Sequence, residues 1–309
     1  MKKSVIVGCA VLGVGSIWTG ICGDLPDAKH VWAVHDMKRP KPSKVEPGSY
    51  ARVGAPSDAI VLFDGTKESF EKNWCDRQGK PSQWKLGAED DFYCLPDWKN
   101  GGDIRTREEF GDCQLHIEYR HDADISNKGK GPQMRGNSGV FLMGNHEIQV
   151  LESYFTSREL AGKPGFIDNY ADGQAGAVYA ENPPMVNPQR KPGEWQTYDI
   201  VFHQSVWEGT TLVHPGSITL FFNGVLVQDH WELDGLTTHS RRRPLASHKT
   251  KGPLLLQDHG CVVHFRNVWI RPLPSRWDNL THGEMSAKTD AVMAQRKATA
   301  AKENETKGK

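Results

Sequence analysis

Between residues 59 and 274 the chain is cut into short apolar runs by clusters of Gly, Pro, Asn and Asp, and this punctuation is its strongest constraint. "CQLHIEYR", "SGVFLM", "HEIQVLE", "QTYDIVFH", "SITLFFNGVLV", "GPLLLQ" and "CVVHFRNVWI" are the clearest runs. Several alternate apolar with polar, the period of a strand with one buried face. Short strands separated by turn residues predict an all-β fold, a sandwich or jelly roll of two antiparallel sheets. Asn223-Gly224, set between two apolar runs, predicts a type I′ hairpin. The 31 Gly, 18 Pro and 10 Trp suit such a turn-rich β protein better than a helical bundle.

The flanks read differently. "MKKSVIVGCAVLGVGSIWTGICGD" has Lys2 and Lys3 before an apolar run from Val5 to Ile21, then Gly23 at a cleavage point. Residues 1–23 therefore read as an export signal or a membrane anchor. A lipid on Cys22 is a third mode of attachment, although Ile21 is bulky where a lipoprotein signal takes a small residue. Export implies a periplasmic, outer-membrane-attached or extracellular location. Residues 24–57 are Pro- and charge-rich and read as a tether. Residues 275–309 are rich in Ala and Lys and read as a tail, helical or disordered. Lys plus Arg equals Asp plus Glu at 38 each, and no basic stretch dominates, which argues against nucleic acid as a partner. Removal of the signal leaves Cys75, Cys94, Cys113 and Cys261, with no CxxC pair and three disulfide connectivities to choose from.

"HEIQVLE" carries the functional question. Alternation sends Ile148 and Val150 to one face and Glu147 and Gln149 to the other. A second polar group, Gln257 and His259 of "LLLQDHG", shares a face beside Gly260, and "VVHFRN" adds Arg266 opposite Val263 and Phe265. Carboxylate, amides, imidazole and guanidinium near Trp195 and Tyr179 are the groups that bind sugars, planar hydrogen-bonding groups beside an aromatic platform. The competing explanation is a solvated outer sheet face. Ser138 lacks the GxSxG setting of a serine nucleophile. "DISNKGKGPQMRGNSG" lacks the Gly-Lys-Ser/Thr ending of a phosphate loop.

Eight blocks, "VLFDGTKESFEKNW", "GNSGVFL", "HEIQVLE", "GAVYAENPP", "GEWQTYDIVFH", "ITLFFNGVLVQD", "GPLLLQDHG" and "VHFRNVWIRPL", resemble in order the 3-keto-disaccharide hydrolase domain family. The resemblance spans residues 58–274 and implies a concanavalin A-like jelly roll and exported enzymes acting on oxidised glycosides. Glu152 and Gln196 depart from the family pattern, which has Asp and Asn there. A 3-keto sugar has an acidic C2 hydrogen, so a base at C2, a stabiliser at the C3 oxygen and an acid for the leaving group suffice. The resemblance and the faces together nominate Glu147, His259 and Arg266 as catalytic. Arg135, Asn137, Gln149, Trp195 and Gln257 are nominated as substrate-binding. A divalent cation on the C3 oxygen is an alternative stabiliser, with Glu147 and His259 as its candidate ligands. Carbohydrate is the expected partner. The alternative to an enzyme is a non-catalytic sugar-binding module or surface adhesin on the same fold.

Overall fold

The computed structural model describes residues 23–96, 101–123, 133–155, 168–246, 250–274 and 287–298. Among them, two large antiparallel sheets form the jelly-roll sandwich. One has the order Val225–Glu232, Ser217–Phe222, Gln196–His203, Cys113–His121, Val263–Pro272, Asp91–Tyr93, Lys85–Leu86, with Ile60–Phe63 also paired to Val263–Pro272. The other has the order Trp74–Asp76, Ile104–Phe110, Gly252–Leu256, Ser138–Leu142, His146–Val150. A short helix, Lys67–Asn73, is capped by Thr66, whose hydroxyl accepts from the Ser69 amide at 3.1 Å.

Alternation along these strands builds the core. Leu115, Ile117, Tyr119, Tyr198, Ile200, Phe202, Val263 and Phe265 of the first sheet belong to one apolar cluster with Val140, Leu142, Ile148, Val150, Leu254 and Leu256 of the second. Some aromatic members pack edge-on, as with Phe63 on Phe92 at 4.7 Å and Tyr198 on Phe222 at 4.9 Å, and others stack, as with Phe92 on Phe265 at 5.9 Å. Every odd step that fills this layer puts the intervening residue on an outer face. Cys75, Cys94, Cys113 and Cys261 are free thiols.

Residues 24–57, the stretch resembling a tether, run along the body of the fold. Ala33, Val34 and His35 are buried, and Ser43–Lys44 pairs in parallel with Val186–Asn187. Residues 287–298 form an exposed helix, and among the described residues no helix is long and apolar enough to cross a membrane. Of the export signal or anchor expected at residues 1–23, residues 1–22 lie outside the described residues.

The hairpin between Ser217–Phe222 and Val225–Glu232 turns at Asn223 and Gly224, both with positive φ, 51° and 78°, as a type I′ turn requires. Asn223 does more than turn the chain. Its Nδ2 donates to the Pro188 carbonyl at 2.9 Å and to Gln196 Oε1 at 2.8 Å, and its Oδ1 accepts from the Thr197 amide at 2.9 Å. Asn223→Ala strains the backbone and orphans buried groups together, and should lose about 2–4 kcal/mol in urea unfolding. Asn223→Gly relieves the strain alone and should recover about 1 kcal/mol of that loss.

Candidate functional site

The outer face of the five-stranded sheet carries the site, and backbone register places its members. Leu255 pairs with Phe141, and Phe141 with Glu147. The Tyr179 amide then donates to the Glu147 carbonyl at 3.1 Å. Leu255, Phe141, Glu147 and Tyr179 thus form one row. In the neighbouring row the Gln257 amide donates to the Gly139 carbonyl at 3.0 Å, and Gly139 pairs with Gln149. A methyl on Gly139 would collide with Glu147 Oε1 and come within 2.7 Å of the Phe141 ring. Glycine at that position leaves the space that the carboxyl group fills.

Glu147 is only 4 % exposed. Burial, reinforced by the negative charge of Asp103, pushes its carboxyl up to about 8, so the group carries a proton at neutral pH. Asp103 also fixes the loop that bears His259. Its Oδ1 accepts from the Asp258 amide at 2.8 Å, and Asp258 in turn accepts from Gly102 at 2.7 Å and Gly260 at 2.9 Å. Half-buried His259 is lowered by burial, a shift that the carboxylates of Asp258 and Asp103 oppose and that nearby His239 assists. Its imidazole is neutral at neutral pH. Among the described residues the Oε1 of Gln257 is buried without a hydrogen-bond partner.

At the outer edge of the His146–Val150 strand stand two tyrosines. Their hydroxyls lie 2.9 Å apart, and Tyr179 Oη lies 3.2 Å from His239 Nδ1. Burial raises both phenols, Tyr170 far above the ordinary range and Tyr179 beyond it, with Glu147 and Asp172 adding to each. Both are therefore neutral donors.

Backbone register puts Glu147, Gln149 and Gln257 on one face, and His259 follows just past the strand end, in the loop that Asp103 holds. Gln149 and Asn137 commit their amide groups to the protein. Gln149 Nε2 donates to Asn137 Oδ1 at 3.0 Å and to the carbonyls of Ser138 and Val150, and Asn137 Nδ2 donates to the Gln133 carbonyl at 2.7 Å. They buttress the floor. Arg135 is buried with Glu152, its Nε 3.0 Å from Glu152 Oε2, so its guanidinium faces a partner of the fold.

Arg266 and Trp195 stand elsewhere. Arg266 alternates with core residues Val263 and Phe265 of the other sheet and so faces away from that core. There its Nε donates to Glu118 Oε2 at 2.7 Å, and its guanidinium lies 3.9 Å from the centre of a Trp195 ring. The sandwich core separates this pair from Glu147. His146, on the inward face, sits 6.0 Å from the Phe202 ring centre. Sequence reasoning missed Asp103, Tyr170 and His239 as members of the face. Tyr179 alone had a signal, in "GAVYAENPP". Among the described residues no three His, Cys, Asp and Glu are grouped to hold a metal ion.

The chain matches the family model of the 3-keto-alpha-glucoside-1,2-lyase-like domain over residues 58–271. It is 35 % identical to a solved protein of Parabacteroides distasonis ATCC 8503 provisionally named a glycosyl hydrolase, covering 77 % of this chain and 94 % of that one, with a TM-score of 0.62. Two further proteins of that organism with the same provisional name are 19 % and 16 % identical, each covering 70 % of this chain and 99 % and 94 % of theirs, both at a TM-score of 0.45. No curated protein matches this chain. The family and the 35 % identical relative support a carbohydrate-active function.

The raised Glu147 carboxyl makes stability depend on pH. The native state keeps a proton that the unfolded chain releases near its ordinary value, so stability falls as pH rises from about 4.5 to about 8 and is flat above. Glu147→Gln removes this dependence. Its stability relative to the parent should climb across that window, by on the order of 4 kcal/mol in urea unfolding at pH 9 against pH 4.5. Parallel curves for the two proteins would show Glu147 ionised in the fold.

Proposed function

Because the chain belongs to the 3-keto-alpha-glucoside-1,2-lyase-like domain family, we propose that it is an exported enzyme cleaving 3-keto-glycosides by elimination across C2 and C1, followed by addition of water. The observation that carries the reading is a protonated carboxyl, Glu147, and a neutral imidazole, His259, both tied to Asp103, whose charge acts on each and whose carboxylate holds the His259 loop. A neutral base and a neutral acid are the pair that enolisation beside a ketone needs.

The residues divide the work as follows. His259 takes the C2 proton. Electrons move into the C3 carbonyl, and Glu147 donates a hydrogen bond to the oxygen as charge develops there. The enolate collapses, the C1–O bond breaks, and the aglycone oxygen leaves with the proton that His259 took from C2, which returns the imidazole to its neutral form. Water then adds at C1 of the enone while C2 regains a proton, and the net change is hydrolysis. Gln257, its Oε1 open to a donor, orients a sugar hydroxyl. The N-terminal segment, with its two lysines and apolar run, supports export and attachment at a membrane.

Activity should follow a bell in pH. The acid limb comes from protonating His259 below its ordinary range, and the basic limb from ionising Glu147 near pH 8. Glu147→Ala should lower kcat by about 100- to 1,000-fold, the usual effect of losing one oxyanion donor. Glu147→Gln, which still donates, should keep more activity and lose the basic limb. The deciding measurement is aglycone release from a 3-keto-glucoside and from its unoxidised parent in deuterated water. Release from the oxidised sugar alone, with deuterium at C2, supports the proposal. Equal action on both sugars, or binding without cleavage, points to direct hydrolysis or to a binding module.

A further inference from the structure

The family domain starts at residue 58, yet residues 23–39 reach the site face. Arg242 clamps this strap: its amide donates to Asp24 Oδ2 at 2.6 Å, and its guanidinium donates to the carbonyls of Leu25 and Trp32, both at 2.7 Å. The Asp24 amide donates back to the Ser240 carbonyl at 3.1 Å. Val34, 1 % exposed, packs with Tyr170, Tyr179 and Ala180. Arg39 closes the far end on the Glu181 carbonyl at 3.2 Å.

The strap delivers His35. Its backbone is left-handed, with φ 61°, and its amide donates to Asp172 Oδ2 at 3.0 Å. Its ring stacks on Tyr170 at 3.8 Å and 25°, with Nδ1 3.4 Å from Asp172 Oδ1. The remaining nitrogen, Nε2, contacts the carbonyl oxygen of His239. His239 itself is exposed, its Nδ1 held by the Tyr179 hydroxyl, and it acts electrostatically on His259. One histidine thus grips the other's main chain, while the tyrosine pair under that same strap grips its ring.

We propose that His239 is a sugar-binding residue of the site and that His35 is the positioning residue that holds it there. The assignment takes one direction along this chain of hydrogen bonds: Tyr170 donates to Tyr179, Tyr179 donates to His239 Nδ1, and the proton of neutral His239 then sits on Nε2. That N–H serves as a donor to a hydroxyl or ring oxygen of the glycoside whose C2 faces His259. The assignment rests on the carbohydrate-site reading above and adds to it a wall made from outside the family domain.

The test uses the full chain, with a 3-keto-glucoside as probe, in calorimetry and in turnover. His239→Ala should raise Kd and KM about tenfold, the worth of one hydrogen bond at about 1.4 kcal/mol, with kcat within threefold. His35→Asn, which tolerates the left-handed backbone, should raise them about fivefold on its own and add nothing to His239→Ala, because it acts through that residue. A change in Kd that multiplies in the double variant, or single variants matching the parent, would overturn the assignment. Thermal unfolding of each variant separates lost folding from lost positioning, and Arg242→Ala, which frees the strap at Leu25 and Trp32 without touching His35, should reproduce the His35→Asn loss of affinity. A parent that binds the probe without cleaving it sinks the elimination mechanism and leaves this inference to be read from Kd. A parent that does neither sinks both.

Discussion

Registration of His146–Val150 against Ser138–Leu142 fixes the molecule's chemistry. Ile148 opposite Val140 is an inward pair, so Glu147 opposite Phe141 and Gln149 opposite Gly139 must face outward. A slip of one residue would carry the carboxyl into the core and the aliphatics to the surface. The apolar cluster of the sandwich therefore specifies the site as well as the fold: the free energy that buries Ile148 and Val150 holds Glu147 on the opposite side.

Outward does not mean solvated here. The backbone of residues 176–179 pairs along the strand's outer edge, Phe141 stands beside the carboxyl group, and the absent side chain of Gly139 supplies its room. Withdrawal from water keeps the proton on Glu147 where an exposed glutamate would lose it. The same withdrawal lowers His259. One environment thus sets an acid and a base at the same pH without a direct contact between them, and Asp103, which orients the His259 loop and adds charge near Glu147, links the two.

The strands were legible because alternation is a local property, and the Asn223-Gly224 turn because left-handed backbone has few occupants. Pairing Glu147 with Gln149 was legible for the same reason, whereas His259 lies past the end of Gly252–Leu256, where alternation no longer applies. What alternation cannot convey is which sheet a strand joins. Arg266 obeys the pattern, facing away from Phe265, yet its strand lies in the other sheet, so its guanidinium meets Glu118 and Trp195. Arg135 sits in an irregular stretch, where no period indicates that Glu152 lies beside it. His35 and His239 have no sequence signal. Their meeting depends on a strap whose Pro and charge content resembles a linker and on the long-range clamp at Arg242.

That clamp joins positions 218 residues apart, and His35 meets His239 across 204. Closing so large a loop is entropically costly until the intervening sandwich has brought its ends together. Loop closure therefore favours one order: the sheets condense first, and residues 23–39 dock late, onto a surface that includes Arg242 and His239. The wall that His35 and His239 make is then the last part of the molecule to acquire its shape.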